Sequence, residues 1–163
     1  MIARESIVAA ARSWVGTPYH HQASLRGVGC DCLGLIRGVW RELQGPEPET
    51  LPPYTRDWGD VTGAEPLLAA ARRHLAAVAI AEAQPGDVIV FRTQAGVAKH
   101  AGLLSALTAT SDALSRGALL ERRGLLERAL FVHAQEGIGV TEVKLSRWWR
   151  RHISAVFSFP GVN

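Results

Sequence analysis

The side chains that could do chemistry in this chain are two cysteines, Cys30 and Cys32, and six histidines. Cys32 leads. The stretch Gly29-Cys30-Asp31-Cys32 joins a glycine-bearing loop to a run with helical apolar spacing, Leu35, Ile36, Val39, Trp40 and Leu43. That spacing predicts Cys32 at a helix N-terminus with Asp31 as its cap. Unpaired N–H groups and the positive end of the helix dipole favour thiolate over thiol there, and the thiolate is the attacking species. A nucleophilic cysteine further needs a base within hydrogen-bond reach and a group that orients the base. His100 and His133 each sit in a strand-like run, Lys99-His100-Ala101-Gly102-Leu103 and Phe131-Val132-His133-Ala134. If those runs are antiparallel neighbours, period-two alternation sets both imidazoles on one face, against the start of the Cys32 helix. His100 is then the base and His133 the acceptor that fixes its tautomer.

Other readings compete. Cys30, Cys32, His100 and His133 could instead supply the four ligands of a structural zinc, although CxC spacing is less usual than CxxC for such sites. Cys30 reads as structural, and His74 and His152 as packed or edge residues. His20 and His21 belong to a loop that flanks the cleft, so His20 joins Asp31 and Leu33 as a candidate substrate contact. No cofactor and no metal are expected.

The elements that must position these groups follow from the pattern. Ile7, Val8, Ala11, Trp14 and Val15 recur at helical spacing until Gly16-Thr17-Pro18, giving a first helix over about residues 3–15. The Cys32 helix ends near Gln44-Gly45-Pro46, and four prolines make the next stretch irregular. Glu65 to Ile80 reads as a third helix. Gln84-Pro85-Gly86-Asp87 then turns the chain into Val88-Ile89-Val90-Phe91, the first of several short β-rich runs: Lys99 to Leu104, Leu130 to Ala134, Val140 to Leu145 and Ile153 to Phe159. Ser146-Arg147-Trp148-Trp149-Arg150 between the last two is a short helix or turn, with one tryptophan anchoring the core. Residues 105–128 do not fit a hairpin and read as an insertion, either a helix over Asp112 to Glu127 or a flap. The fold class is α+β, with N-terminal helices on a five- to six-stranded antiparallel sheet.

At 163 residues, one domain over 1–163 accounts for the chain. Apolar residues make up 47% and charged ones 20%, a globular composition. A net charge of +3 and a pI of 9.3 are too mild to argue for nucleic acid and are compatible with an anionic polymer. Two cysteines one residue apart are poorly placed to bridge each other, so a reduced thiol is the simplest reading. The N-terminus, Met1-Ile2-Ala3-Arg4-Glu5-Ser6, reads neither as a signal peptide nor as part of a membrane span.

Tyr19 after Gly16-Thr17-Pro18, Asp31-Cys32-Leu33-Gly34-Leu35, Gly86-Asp87-Val88-Ile89-Val90-Phe91, His100-Ala101-Gly102 and Phe131-Val132-His133-Ala134 follow one another in the order and spacing of a known family. The chain resembles the NlpC-type cell-wall cysteine peptidases (NlpC and p-sixty), whose core is papain-like. The resemblance implies Cys32 as nucleophile, His100 as base and His133 as orienter, with the Tyr19 hydroxyl and the Cys32 N–H forming an oxyanion hole. It implies hydrolysis of peptidoglycan stem peptides at the bond from D-γ-glutamate to a diamino acid, through a thioester. Cys30 to Gly38 and Trp148 to Pro160 resemble the branch encoded with phage tails and gene transfer agents, which implies tail or baseplate partners and action at the cell wall. Leu33 stands where many members have serine, so the pocket beside the sulfur is expected to be more apolar. The 105–128 insertion falls where the family is usually short. A non-catalytic hub on the same fold, and an amidase or acyltransferase using the same thiol, are the alternatives.

Overall fold

A computed structural model describes residues 1–55, 64–92, 96–107 and 126–163. The elements run α1 (Arg4–Ser13), β1 (Ser24–Leu25), β2 (Gly29–Cys30), α2 (Cys32–Gln44), α3 (Pro66–His74), β3 (Ala76–Val78), β4 (Val88–Arg92), β5 (Ala98–Ala106), β6 (Leu130–Gln135), β7 (Gly139–Lys144), α4 (Arg147–Arg151) and β8 (Ile153–Ser158). Six strands form one antiparallel sheet in the order β3-β8-β4-β5-β6-β7, and β1 pairs with β2 in a small hairpin beside it. The architecture is α+β, as the periodicities predict.

Strand alternation divides the core in two. Val88, Val90, Ala101, Leu103, Val132 and Ala134 pack with Ile7, Ala11 and Trp14 near or on α1, with Leu35 and Val39 on α2 and with Leu67 and Leu68 on α3. The intervening positions Ile89, Phe91, Leu104 and Phe131 join Leu145, Val156 and Trp149 in a second cluster. β4 is thus apolar toward both sides, as its unbroken run Val88-Ile89-Val90-Phe91 dictates.

Two expectations change. The third helix stops at His74, and Leu75 is already extended. Residues Ala76 to Val78 pair with β8 instead, Ala76 opposite Ser158 and Val78 opposite Val156. The edge of β8 offers backbone partners, and helix propensities of a few tenths of a kcal/mol per residue do not outweigh that pairing. Most of the Ser105 to Arg128 insertion, including its expected helix from Asp112, lies outside the described residues; Leu126–Arg128 form a 3₁₀ turn.

α1 and α2 approach closely because Gly38 has no side chain: a Cβ there would lie 2.0 Å from Cζ2 of the buried Trp14. Gly38→Ala must displace that indole, at an expected loss of about 1–3 kcal/mol. Urea unfolding of the two proteins measures it, and an unchanged midpoint would refute the packing account.

Candidate active site

Asp31 caps α2 as expected. Its backbone is extended, and Oδ1 accepts from the Gly34 N–H at 2.7 Å. Its Oδ2 accepts from the Gln22 N–H at 2.7 Å and from the Tyr54 hydroxyl at 2.6 Å. The carboxyl is 2% exposed, and these donors are what allow it to be buried. Gln22 is the one non-glycine residue with positive φ among the described residues, at 63°, a strained conformation held by that same carboxylate.

Tyr54 was not legible as a site residue. It arrives from the proline-rich stretch after α2, and its carbonyl accepts from Gln22 Nε2 at 2.6 Å and contacts His21 Nε2 at 2.9 Å. An aromatic residue after Pro52-Pro53 is the only local signal, and it names no partner.

Cys32 is half-buried at the first turn of α2. Its Sγ donates at 3.9 Å to the carbonyl of Lys99, the residue before His100, and the Ala101 backbone also bonds to the sulfur. The expected thiolate is not the resting form. Burial, and then the Asp31 charge beside it, push the thiol up to about 12 and outweigh the backbone N–H groups that favour the anion. Cys30 is wholly buried in the core, and burial and Asp31 hold its thiol at about 12 as well.

His100 on β5 and His133 on β6 come together, with His100 Nε2 2.9 Å from His133 Nδ1. Gly102 makes room for this, since a Cβ there would lie 3.2 Å from the His133 Cβ and 2.9 Å from the Val132 carbonyl oxygen. Burial, and then the neighbouring His133, hold His100 down at about 3; burial holds His133 at about 4. Both rings are therefore neutral over the ordinary pH range. If His100 Nε2–H donates to His133, the Nδ1 of His100 keeps the lone pair that a base needs. His133, 1% exposed, has its Nε2 buried with no hydrogen-bond partner among the described residues.

The remaining expected residues scatter more. Tyr19 is half-buried, and its backbone bridges to Cys30. His20 is exposed, with its side chain over Gly29 and its N–H donating to the Cys30 carbonyl at 3.0 Å. Leu33 is nearly buried and lines an apolar cavity of about 80 Å³ with Ile36, Leu67, Ala71, Val90 and Ala101. Among the described residues no group of three or more His, Cys, Asp or Glu is placed to hold a metal ion, so the four residues of the zinc reading do not converge. No helix among them is long and apolar enough to cross a membrane.

The profile of the NlpC/P60 family matches residues 16–157. No curated protein matches the chain. Among solved structures it is similar to NlpC1 from Trichomonas vaginalis, at 16% identity and a TM-score of 0.54 over 96% of this chain and 44% of that one. It is also similar to a lipoprotein-like protein of the NLP/P60 family from Staphylococcus aureus, at 21% identity and a TM-score of 0.55 over 96% of this chain and 41% of that one. The NlpC/p60 domain of the peptidoglycan hydrolase SagA aligns at 20% identity with a TM-score of 0.54, over 97% of this chain and all of that one. At these identities the likeness is one of fold. The chain spans less than half the length of the first two.

The raised thiol predicts slow alkylation. Iodoacetamide should label Cys32 at a rate that climbs with pH and shows no plateau below about pH 10, read by mass spectrometry of the tryptic peptide; a plateau near pH 7 would mean a preformed thiolate. The depressed imidazoles predict acid lability. The unfolded chain takes up protons at its histidines near pH 6.5, while the folded chain refuses them until about 4 and 3. Stability should therefore be full above pH 6.5 and fall as pH drops from there, by roughly 1.4 kcal/mol per pH unit for each group. Thermal melts between pH 7 and 4 should show this slope, flattened in the His100→Gln/His133→Gln double variant.

Proposed function

Because the chain belongs to the NlpC/P60 family, we propose that it is a cysteine endopeptidase cutting peptidoglycan stem peptides, as one catalytic domain over residues 1–163. The observation that carries this reading is the 2.9 Å bond between the buried His133 on β6 and His100 on β5, the strand whose backbone touches the Cys32 sulfur.

In this mechanism His100 Nδ1 takes the thiol proton as Sγ attacks the scissile carbonyl. A free thiolate is the disfavoured form here, so proton transfer accompanies S–C bond formation rather than preceding it. The Cys32 N–H at the helix start and the Tyr19 hydroxyl take up the oxyanion charge. The tetrahedral intermediate expels the amine, which receives the proton from His100, and leaves a thioester on Cys32. Water, deprotonated by His100, then releases the acid and restores the thiol. His133 Nδ1 accepts the Nε2–H of His100 throughout and holds its tautomer. Asp31, Leu33 and His20 border the sulfur or the Tyr19 loop, with Asp31 acting through the cap and Leu33 through the apolar wall below.

The bond we assign is that from D-γ-glutamate to diaminopimelate, and the partners are the proteins of a phage-like tail or gene transfer agent that brings the domain to the wall. Both assignments rest on the resemblance of the motif segments.

Digestion of purified Gram-negative peptidoglycan by the wild type and by Cys32→Ala tests the proposal, with released muropeptides read by mass spectrometry. Fragments ending at D-glutamate should appear with the wild type only, and the loss on substitution should exceed about 10³-fold, with the thermal transition nearly unchanged. Cleavage by Cys32→Ala would refute the mechanism. A folded, alkylatable wild type that releases nothing would favour the non-catalytic hub or a different amide substrate.

A further inference from the structure

Trp149 touches both imidazoles. Its indole stacks on His100 with centroids 5.2 Å apart and planes 30° apart, and stands edge-on to His133 at 5.2 Å and 82°. Phe91 and Phe131 extend the wall: Trp149 lies 4.9 Å from the first and 5.3 Å from the second. Phe131 is in turn 4.6 Å from His133, and Phe91 is 5.9 Å from His100. The neighbouring tryptophan does something different. Trp148 is 48% exposed, stacks on His152 at 4.1 Å and meets Trp149 edge-on at 4.9 Å, with neither imidazole of the pair among its ring contacts in the described residues.

A histidine that serves as a base through one nitrogen must not turn its ring. Within the pair a single hydrogen bond, His100 Nε2 to His133 Nδ1, opposes rotation, and water can compete for that bond wherever it is reached. A stacked indole opposes rotation by contact and keeps water away.

We propose that Trp149 is a positioning residue for the His100–His133 pair, clamping the base ring so that its Nδ1 remains the free nitrogen and sealing the bond between the rings from solvent. The inference rests on His100 being the base. It gives α4 a role that its sequence, Arg147-Trp148-Trp149-Arg150-Arg151, does not announce.

The groups facing the pair leave the indole as the element to test. His133 faces His100 from β6, the Cys32 thiol lies across from β5 on α2, and Lys99 adjoins it on its own strand. From α4, Arg150 pairs with Glu127 at 3.5 Å and His152 stacks on Trp148. From β4, Arg92 pairs with Glu65 at 2.7 Å. Removing the indole admits water, which favours the charged form of imidazole, so both rings should titrate higher.

The test is an NMR pH titration of the imidazoles in the wild type, Trp149→Ala, Trp149→Phe and Trp148→Ala, together with the acid limb of kcat/KM on a peptidoglycan peptide. In Trp149→Ala at least one midpoint should rise by about one pH unit or more toward 6.5, with the acid limb rising alongside and kcat falling more than KM changes. Trp149→Phe should shift less in the same direction, and Trp148→Ala should leave the midpoints alone. Where Trp149→Ala does not fold, Trp149→Phe carries the test. Wild-type midpoints in a folded Trp149 variant, or an equal shift in Trp148→Ala, would overturn the inference. The titration needs no turnover, so its midpoints report whether Trp149 shields the imidazole pair even where the wild type cuts no peptidoglycan, and failure of the clamp is distinguishable from failure of the peptidase reading.

Discussion

Three segments hang from the Asp31 carboxylate: the first turn of α2 through Gly34, the loop before β1 through Gln22, and the strap after α2 through Tyr54. A carboxylate buried to this extent is tolerable only with such donors. Each donor in turn is fixed by the bond, down to the strained backbone of Gln22. The start of the Cys32 helix is therefore defined by a charge, and the charge is defined by the segments it gathers.

That arrangement conflicts with making a thiolate. A helix N-terminus favours the anion, but the cap that builds this N-terminus is itself an anion next to Cys32, and burial adds to its effect. The same holds across the cleft, where burial keeps both histidines neutral. With the thiol and both imidazoles uncharged, Cys32 and His100 form no thiolate–imidazolium pair at rest.

Much of this was written in local pattern. The cap, the length of α2 and the sharing of a face by His100 and His133 follow from spacing, because periods of 3.6 and 2 determine which side chains fall together. That face, however, is the one with Phe91 and Phe131, and not the one α2 packs against. What the pattern misses depends on long-range partners. Ala76 to Val78 is helical by propensity and becomes a strand only because β8 has a free edge. Tyr54 lies in an irregular loop and gains meaning from a carboxylate 23 residues earlier. The expectation of a thiolate failed for the same reason: the dipole is a local property, whereas burial is a property of the whole fold.

The site also has to cross the sheet. α2 packs with the first core cluster, on the side of Val90 and Ala101, while the His100 ring belongs with Phe91 and Trp149 in the second. In the β4–β5 ladder, Phe91 faces His100 and Arg92 faces Ala98, so the register shifts there and Lys99 is an extra residue on β5. A bulge of this kind bends the strand and re-aims its neighbours. Here it turns the Lys99 carbonyl to the Cys32 sulfur while His100 stays on the far side with His133 and Trp149. One inserted residue thus lets β5 bond the Cys32 sulfur through its backbone on one face and carry the His100 ring on the other.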